Sequence, residues 1–266
     1  MPSDGQRQGS RWRRERIVRL ASTSGLASVE ELAAEFEVTA STIRRDLAQL
    51  TTEGRLARTY GGAIALDPHP ETTLRQRIGD AFEQKQGIAR WAAKQVRPGE
   101  NVLLDAGSTV GALALELRTT YPLTVATTSM TALQALADVD EIHVQCLGGT
   151  LRHVSQGFVG PLTEAALDRM TFDRAFLGAD GVTADSGICE AELDQTRLKE
   201  VMASRAERVY VLAHAAKLGR RPFHAWARLP RGWVLVTDDT ADPDALAPFL
   251  AEGIPTIVTD RDGNQV

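Results

Sequence analysis

The chain holds 266 residues, 43% hydrophobic and 24% charged, with a formal net charge of −5. These fractions are ordinary for globular domains and predict a full core, and no apolar run reaches the roughly 18 residues that a bilayer span needs. Two cysteines, Cys146 and Cys189, exclude a thiolate metal cluster and a disulfide framework; Cys146 closes an apolar run and reads as a buried thiol.

The opening twenty residues carry charge without an apolar segment, unlike a secretory signal, so the cytoplasm is the expected location. Charge is placed unevenly. Residues 11–66 hold nine arginines against seven carboxylates, a local excess of +2 inside an acidic chain. That distribution suits a nucleic-acid partner better than the overall charge does. Residues 12–23 predict a helix with Ile17, Leu20 and Ala21 on one side. Ser28 and Glu31 have capping-box spacing for a second helix, along which Val29, Leu32, Ala33 and Phe36 form an apolar stripe. Thr39 is a candidate N-cap for a third.

In that third helix Ile43, Leu47 and Leu50 fall within about 60° of one another. The opposite face carries Ser41, Arg45, Ala48 and Thr52, with Arg44 on its flank. A small, polar, cationic face can enter a major groove, where arginine reads guanine or grips phosphate. Gly54 suits the residue after the helix. Leu56, Arg58 and Tyr60 then alternate before Gly61-Gly62, the pattern of a two-stranded wing. Ser41, Thr42, Arg44 and Arg45 on the helix, with Arg55 and Arg58 on the wing, are the candidate DNA-contacting residues. Next, "LDPHPETT", with two prolines and little apolar content, marks a boundary. It divides a domain over 11–66 from a linker over 67–74 and a larger domain over 75–266.

The larger domain opens with a long helical pattern from Leu74 to Val96. Seven short apolar runs follow: NVLLDAG, LTVATTS, IHVQCLGG, RAFLGADG, RVYVLA, WVLVTDD and PTIVTD. Helical stretches separate most of them, near 109–118, 130–137, 161–170, 192–207 and 243–251. Apolar strands alternating with helices predict a parallel sheet covered on both faces, hence an α/β domain. Its ligand belongs outside the carboxyl ends of the strands. Asp105, Gly107, Ser108 and Thr109 follow the first strand, Thr128 and Ser129 the second, Gly148 and Gly149 the third, Asp180 the fourth, and Lys217 the fifth. A glycine turn, a helix N-terminus, hydroxyls and a lysine suit phosphate, and the two aspartates suit sugar hydroxyls. Together they form a candidate site for a small phosphorylated polyol, with no metal or cofactor expected. The five histidines lack metal-ligand spacing.

These residues give the chain a resemblance to the DeoR family of bacterial transcriptional regulators. The motifs are T-I-R-R-D-L at 42–47, G-x-L-x-R-x-x-G-G-A at 54–63, D-x-G-S-T at 105–109, F-V-G-P-L at 158–162 and F-D-x-A-F-L-G-A-D-G at 172–181. The resemblance implies a winged helix-turn-helix joined to a sensor domain similar to ribose-5-phosphate isomerase. It implies a homo-oligomer, dimer or tetramer, that binds double-stranded operator DNA. It implies repression of carbohydrate genes under control of a phosphorylated sugar. Three positions depart from the family pattern: Val110 replaces a threonine, Thr128 an asparagine, and "HAAK" at 214–217 a D-S-S-K run. An alternative from another class is a sugar-phosphate isomerase with an accessory DNA-binding domain, for which Asp105, Asp180 and Glu190 are the candidate bases.

Overall fold

The computed structural model of the chain describes residue 10 and residues 12–18, 27–52, 56–59, 62–65, 71 and 73–266. It divides into two compact units, Met1–Glu71 and Thr72–Val266. In the first unit, helix α1 covers residues 12–18. Strand β1 (Ala27–Ser28), α2 (Val29–Glu35), α3 (Ala40–Thr52), β2 (Leu56–Thr59) and β3 (Gly62–Ala65) follow. Ile17, Val18, Leu32, Ile43, Leu47 and Leu50 form its buried core, so the apolar stripes of all three helices meet. Trp12 packs edge-on against Phe36 at 6.1 Å, and Arg13 bonds the nearly buried Asp46 of α3 at 2.7 Å. The wing is a β2–β3 hairpin, and β1 pairs with β3, making three strands where the sequence predicts two. Residues 19–23, the Gly54 cap, Arg55, the Tyr60–Gly61 wing tip and linker residues 66–70 and 72 lie outside the described residues.

The second unit begins with α4 (Leu74–Gly79) and α5 (Phe82–Lys94). The single long helix expected over 74–96 is therefore broken. Ala81 takes a left-handed φ of 48°, and Lys85 donates back to the carbonyls of Arg77 and Asp80, each at 2.5 Å. A buried ammonium thus serves carbonyls that a continuous helix would bond internally.

The seven predicted strands all form. They are β4 (Asn101–Leu104), β5 (Leu123–Thr127), β6 (Ile142–Cys146), β9 (Phe172–Leu177), β12 (Ala206–Leu212), β14 (Val234–Asp238) and β15 (Thr256–Thr259). They make one parallel sheet in the order β15-β14-β12-β9-β4-β5-β6. Alternate residues face opposite sides. Val102, Leu104, Val125, Phe176 and Tyr210 pack with α5, α6 (Ser108–Glu116) and α7 (Met130–Leu136). Leu103, Ala126, Ala175, Leu177 and Val209 pack with α8 (Pro161–Leu167), α9 (Leu193–Ser204) and α10 (Pro243–Ala251). Smaller strands surround the carboxyl edge. These are the hairpin β7 (Thr150–Arg152) and β8 (Gly157–Val159), and the sheet of β10 (Gly181–Thr183), β11 (Gly187–Glu190) and β13 (Ala225–Ala227).

The chain winds outward from β4 to β5 and β6, then returns to β9 on the other side of β4. The crevice of this open sheet therefore lies between β4 and β9. Cys146 corrects the sequence reading: it is exposed, because β6 is an edge strand. Cys189 is the buried thiol, donating to the Phe223 carbonyl at 3.3 Å, and burial pushes its pKa up to about 11. Among the described residues no helix is long and apolar enough to cross a membrane.

Close backbone packing makes one helix position testable. A Cβ on Gly87 of α5 would stand 2.2 Å from the Asp260 carbonyl oxygen. Alanine at an open helix site would add about 1 kcal/mol of stability. At Gly87 overpacking should prevail, and Gly87→Ala should lose about 1–3 kcal/mol. Urea unfolding of the purified variant measures this, and equal or higher stability would contradict the packing.

Candidate functional site

In α3 the apolar residues Ile43, Leu47 and Leu50 are fully buried, while Ser41, Arg44, Arg45, Ala48 and Gln49 are exposed. Thr39 begins the helix as read from sequence, accepting from the Thr42 amide at 3.3 Å. Its hydroxyl also meets those of Ser41 at 2.8 Å and Thr42 at 2.9 Å. Both hydroxyls proposed for DNA thus share the cap, and Thr42 is only half-exposed. Asp46, pinned by Arg13, points away from the cationic face toward α1. Arg58 lies in β2.

At the carboxyl ends of the second unit's strands, the candidate residues fall into separate groups. Asp105 is buried and spent inside the protein. One carboxylate oxygen accepts the Ala106 amide at 2.7 Å. The other accepts the Gly178 amide at 3.0 Å and the ammonium of Lys199. Lys199 also bonds the Gly178 carbonyl at 2.9 Å and lies 3.2 Å from Glu190. Gln195 donates to the second oxygen of Glu190 at 3.2 Å. Burial, only partly offset by Lys199, pushes the Glu190 carboxyl up to about 8. Asp105 and Glu190, two of the candidate isomerase bases, are thus bound to one lysine.

Gly107 caps α6 without a side-chain bond, at a φ of 155° that glycine alone adopts readily. The first-turn amides of α6 therefore have no partner from their cap residue. Ser108 lines a cavity of about 110 Å³ with Lys85, Leu74, Ile78, Phe82 and Thr131. Thr109 and Thr128 are buried. Ser129 is spent on capping α7, accepting from the Ala132 amide at 3.2 Å. Gly148 and Gly149 fold a turn against α8. The Thr163 hydroxyl bonds the Gly148 carbonyl at 2.6 Å, and a Cβ on Gly149 would lie 2.2 Å from that hydroxyl.

Asp180 pairs with Arg77 of α4 at 2.7 Å. Lys217 donates to the Ala179 carbonyl beside it. Burial lowers the Lys217 pKa, and Arg77 adds to the effect. Burial, with Lys217 and Arg77 nearby, brings Lys85 down to about 8. His214 is buried and driven down to about 4 by the same desolvation, with Lys217 and Lys85 contributing. Three cations from three elements are therefore crowded at one edge of the sheet. Among the described residues no group of carboxylates, histidines and cysteines could hold a metal ion.

Sequence reasoning missed Arg77, Lys85, Gln195 and Lys199, and took Glu190 only as a possible base. A signal for one of them existed. Gln195, Leu198, Lys199 and Met202 share the buried face of α9, and a lysine at such helical spacing requires a buried anion.

These shifts set the pH dependence of stability. Glu190 binds its proton more tightly when folded, so its contribution is complete below about pH 4.5 and falls as pH rises toward about 8. His214 acts oppositely: its contribution is complete above about pH 6.5 and falls as pH drops toward 4. In urea unfolding, Glu190→Gln should flatten the alkaline decline, which has a limiting slope of about 1.4 kcal/mol per pH unit. An unchanged decline would refute this assignment.

The comparisons agree in type over nearly the whole chain. Residues 13–69 match the DeoR-like helix-turn-helix domain and residues 80–239 the DeoR C terminal sensor domain. The HTH-type transcriptional regulator GlpR of Haloferax volcanii is 33% identical, over 92% of this chain and 96% of that protein. The putative aga operon transcriptional repressor of Escherichia coli O157:H7 is 30% identical, over 94% of each chain. The lactose phosphotransferase system repressor of Streptococcus mutans is 30% identical, over 85% of this chain and 91% of that protein. A solved ribose 5-phosphate isomerase from Methanocaldococcus jannaschii aligns with 50% of this chain and 52% of its own, at 22% identity and a TM-score of 0.36. With both family domains matched in order and with relatives of this identity along its length, the chain belongs to the DeoR family of helix-turn-helix transcriptional regulators.

Proposed function

We propose that this regulator represses carbohydrate-metabolism genes and leaves its operator when a phosphorylated sugar binds the larger unit. The observation that carries this reading is the pairing, in one chain, of two chemistries. An exposed arginine face stands on a helix whose other side is fully buried, and desolvated cations crowd the carboxyl end of the larger unit's sheet, one of them, Lys85, lining a cavity with Ser108. Arg44 and Arg45 would read or grip DNA, with Arg55 and Arg58 along the backbone. Ser108, Thr109 and Lys217 would hold the phosphate, with Lys85 beside Ser108 adding charge. Asp180 would meet a sugar hydroxyl. The working boundaries are 11–66 for DNA binding, 67–74 for the linker and 75–266 for sensing.

A winged helix alone covers little DNA, so a dimer or tetramer on paired half-sites is the proposed acting form, in the cytoplasm with the DNA. For an effector to weaken operator binding about 100-fold, the coupling must be about 2.8 kcal/mol. The isomerase alternative loses ground because Asp105 and Glu190 are committed to Lys199, and the relatives are named as regulators and repressors.

A DNA site selected by the purified protein from a random pool provides the first test. Arg45→Ala should weaken that site by about 1–3 kcal/mol, and affinity should fall with salt at a log–log slope of roughly −5 to −7. Unchanged affinity would remove α3 from the interface.

Anion binding should also depend on pH. The Lys85 ammonium, held near 8, attracts phosphate only while protonated. Calorimetric affinity for inorganic phosphate should therefore drop as pH rises from 7.5 to 9, and Lys85→Met should remove much of that drop. An identical drop in the variant would exclude Lys85 from the anion site.

A further inference from the structure

Unpaired polar groups lie near the strand ends. Among the described residues, Thr128, Asp180 and Gln195 each hold a buried side-chain oxygen without a hydrogen-bond partner. Thr128 is 1% exposed and Gln195 8%. Both line one cavity of about 20 Å³, together with Asp105, Lys199, Ser155 and Phe158. That volume takes a single water or a single hydroxyl group. A buried oxygen left unpaired is costly, and here two of them line the same small space.

The walls decide what fits. Lys199 spends its ammonium on Asp105, Glu190 and the Gly178 carbonyl. Asp105 accepts from Ala106, Gly178 and Lys199. The charged groups are thus engaged with one another, and the unspent groups are neutral. The Thr128 hydroxyl can donate or accept. The Gln195 amide offers its oxygen, or its NH₂ if the amide is turned and a protonated Glu190 donates to it. An alcohol, which both donates and accepts, matches this pair in either orientation. A second anion is disfavoured by the Asp105 carboxylate in the wall.

The cavity is tied to the anion-site residues through the chain and through charge. Asp105 precedes the Gly107–Ser108 turn by two residues, and Lys217 lies within electrostatic reach of Asp180, Glu190 and Lys199. We propose that Thr128 and Gln195 form a hydroxyl-reading subsite, taking one alcohol group of the phosphorylated sugar while its phosphate lies at Ser108, Thr109 and Lys217. Lys199 and Glu190 are positioning residues that hold Gln195 and Asp105 in place. The inference rests on the effector reading above and adds a specificity determinant, Gln195, to it.

Calorimetry on the full chain tests this with inorganic phosphate, glucose 6-phosphate, fructose 1-phosphate, ribose 5-phosphate and glycerol 3-phosphate. In the wild type, one sugar phosphate should bind more tightly than inorganic phosphate. In Thr128→Val and in Gln195→Leu, the ratio of its affinity to that of inorganic phosphate should fall at least about tenfold. Thr128→Ser should restore the ratio. Because the Thr128 hydroxyl is unpaired in the free protein, Thr128→Val should keep its melting temperature, so the test survives if the Gln195 variant does not fold. Equal weakening of phosphate and sugar phosphate would overturn the subsite. So would an unchanged ratio with a lowered melting temperature in Thr128→Val, the mark of a structural water only. So would a wild type that binds phosphate but no probe more tightly. If the wild type binds none of the probes, phosphate included, the effector reading itself fails and the subsite with it.

Discussion

The buried ammonium of Lys199 organises the larger unit. It reaches from α9 across the crevice between β4 and β9, and its three contacts lie on three other segments. Asp105 stands at the end of β4, Gly178 just past β9, and Glu190 at the end of β11. A lone lysine in that position would be intolerable, because desolvation disfavours its charge by several kcal/mol. Asp105 supplies the balancing anion. Glu190, held toward its neutral form by the same burial, supplies a further oxygen. The ammonium faces the Asp105 carboxylate and a carboxyl that burial holds toward its neutral form, so its charge is met inside the cluster. Each element must therefore keep its register, since moving any of them strands a charge in the interior.

That network also divides labour at the strand ends. Asp105 looks from sequence like a ligand for sugar hydroxyls, yet its oxygens are committed to two backbone amides and Lys199. On the proposed reading, ligand contacts fall to groups arranged around the network: the α6 first turn, Ser108, Lys85, Lys217, and the unpaired oxygens of Thr128, Asp180 and Gln195. Ser129, Gly148 and Gly149 hold the frame through a helix cap and a packed turn. A site built on a rigid, spent interior loses little order when it binds, which is the condition for affinity from a few contacts.

The parts legible in the sequence are those governed by one-dimensional patterns. Strands buried on both faces read as apolar runs between helices, and all seven are where those runs predict them. Helix α3 announces itself by Ile43, Leu47 and Leu50 at helical spacing, opposite Ser41 and Arg45. The parts that stayed hidden depend on partners distant in sequence. The break at Ala81 has no proline to mark it; it exists because Lys85 can reach back to two carbonyls. Cys146 ends an apolar run, but only the strand order reveals that β6 lies at an edge. Gln195 and Lys199 reach the strand ends only once α9 is laid across β4 and β9. Lys199 alone left a trace, as a charge on the apolar face of a helix.

Around Asp180 the imbalance runs the other way, with cations in excess. Arg77, Lys85 and Lys217 lie close enough that each lysine's affinity for its proton is reduced by its neighbours as well as by burial. His214 beside them is kept neutral for the same reason. Asp180 offsets one of these charges through Arg77, and the exposed Asp80 lies 4.0 Å from His214. The cluster is thus electrostatically under-compensated in the free protein, whereas the Lys199 network next to it is balanced. An arriving dianion relieves the repulsion among the cations and gains the attraction of each, in a site where burial weakens screening. The two clusters share an edge of the sheet and differ in what they lack: the inner one has neutral oxygens without a partner, the outer one lacks negative charge. On the proposed reading a phosphorylated polyol answers both in one molecule, where a bare phosphate or an uncharged sugar answers only one.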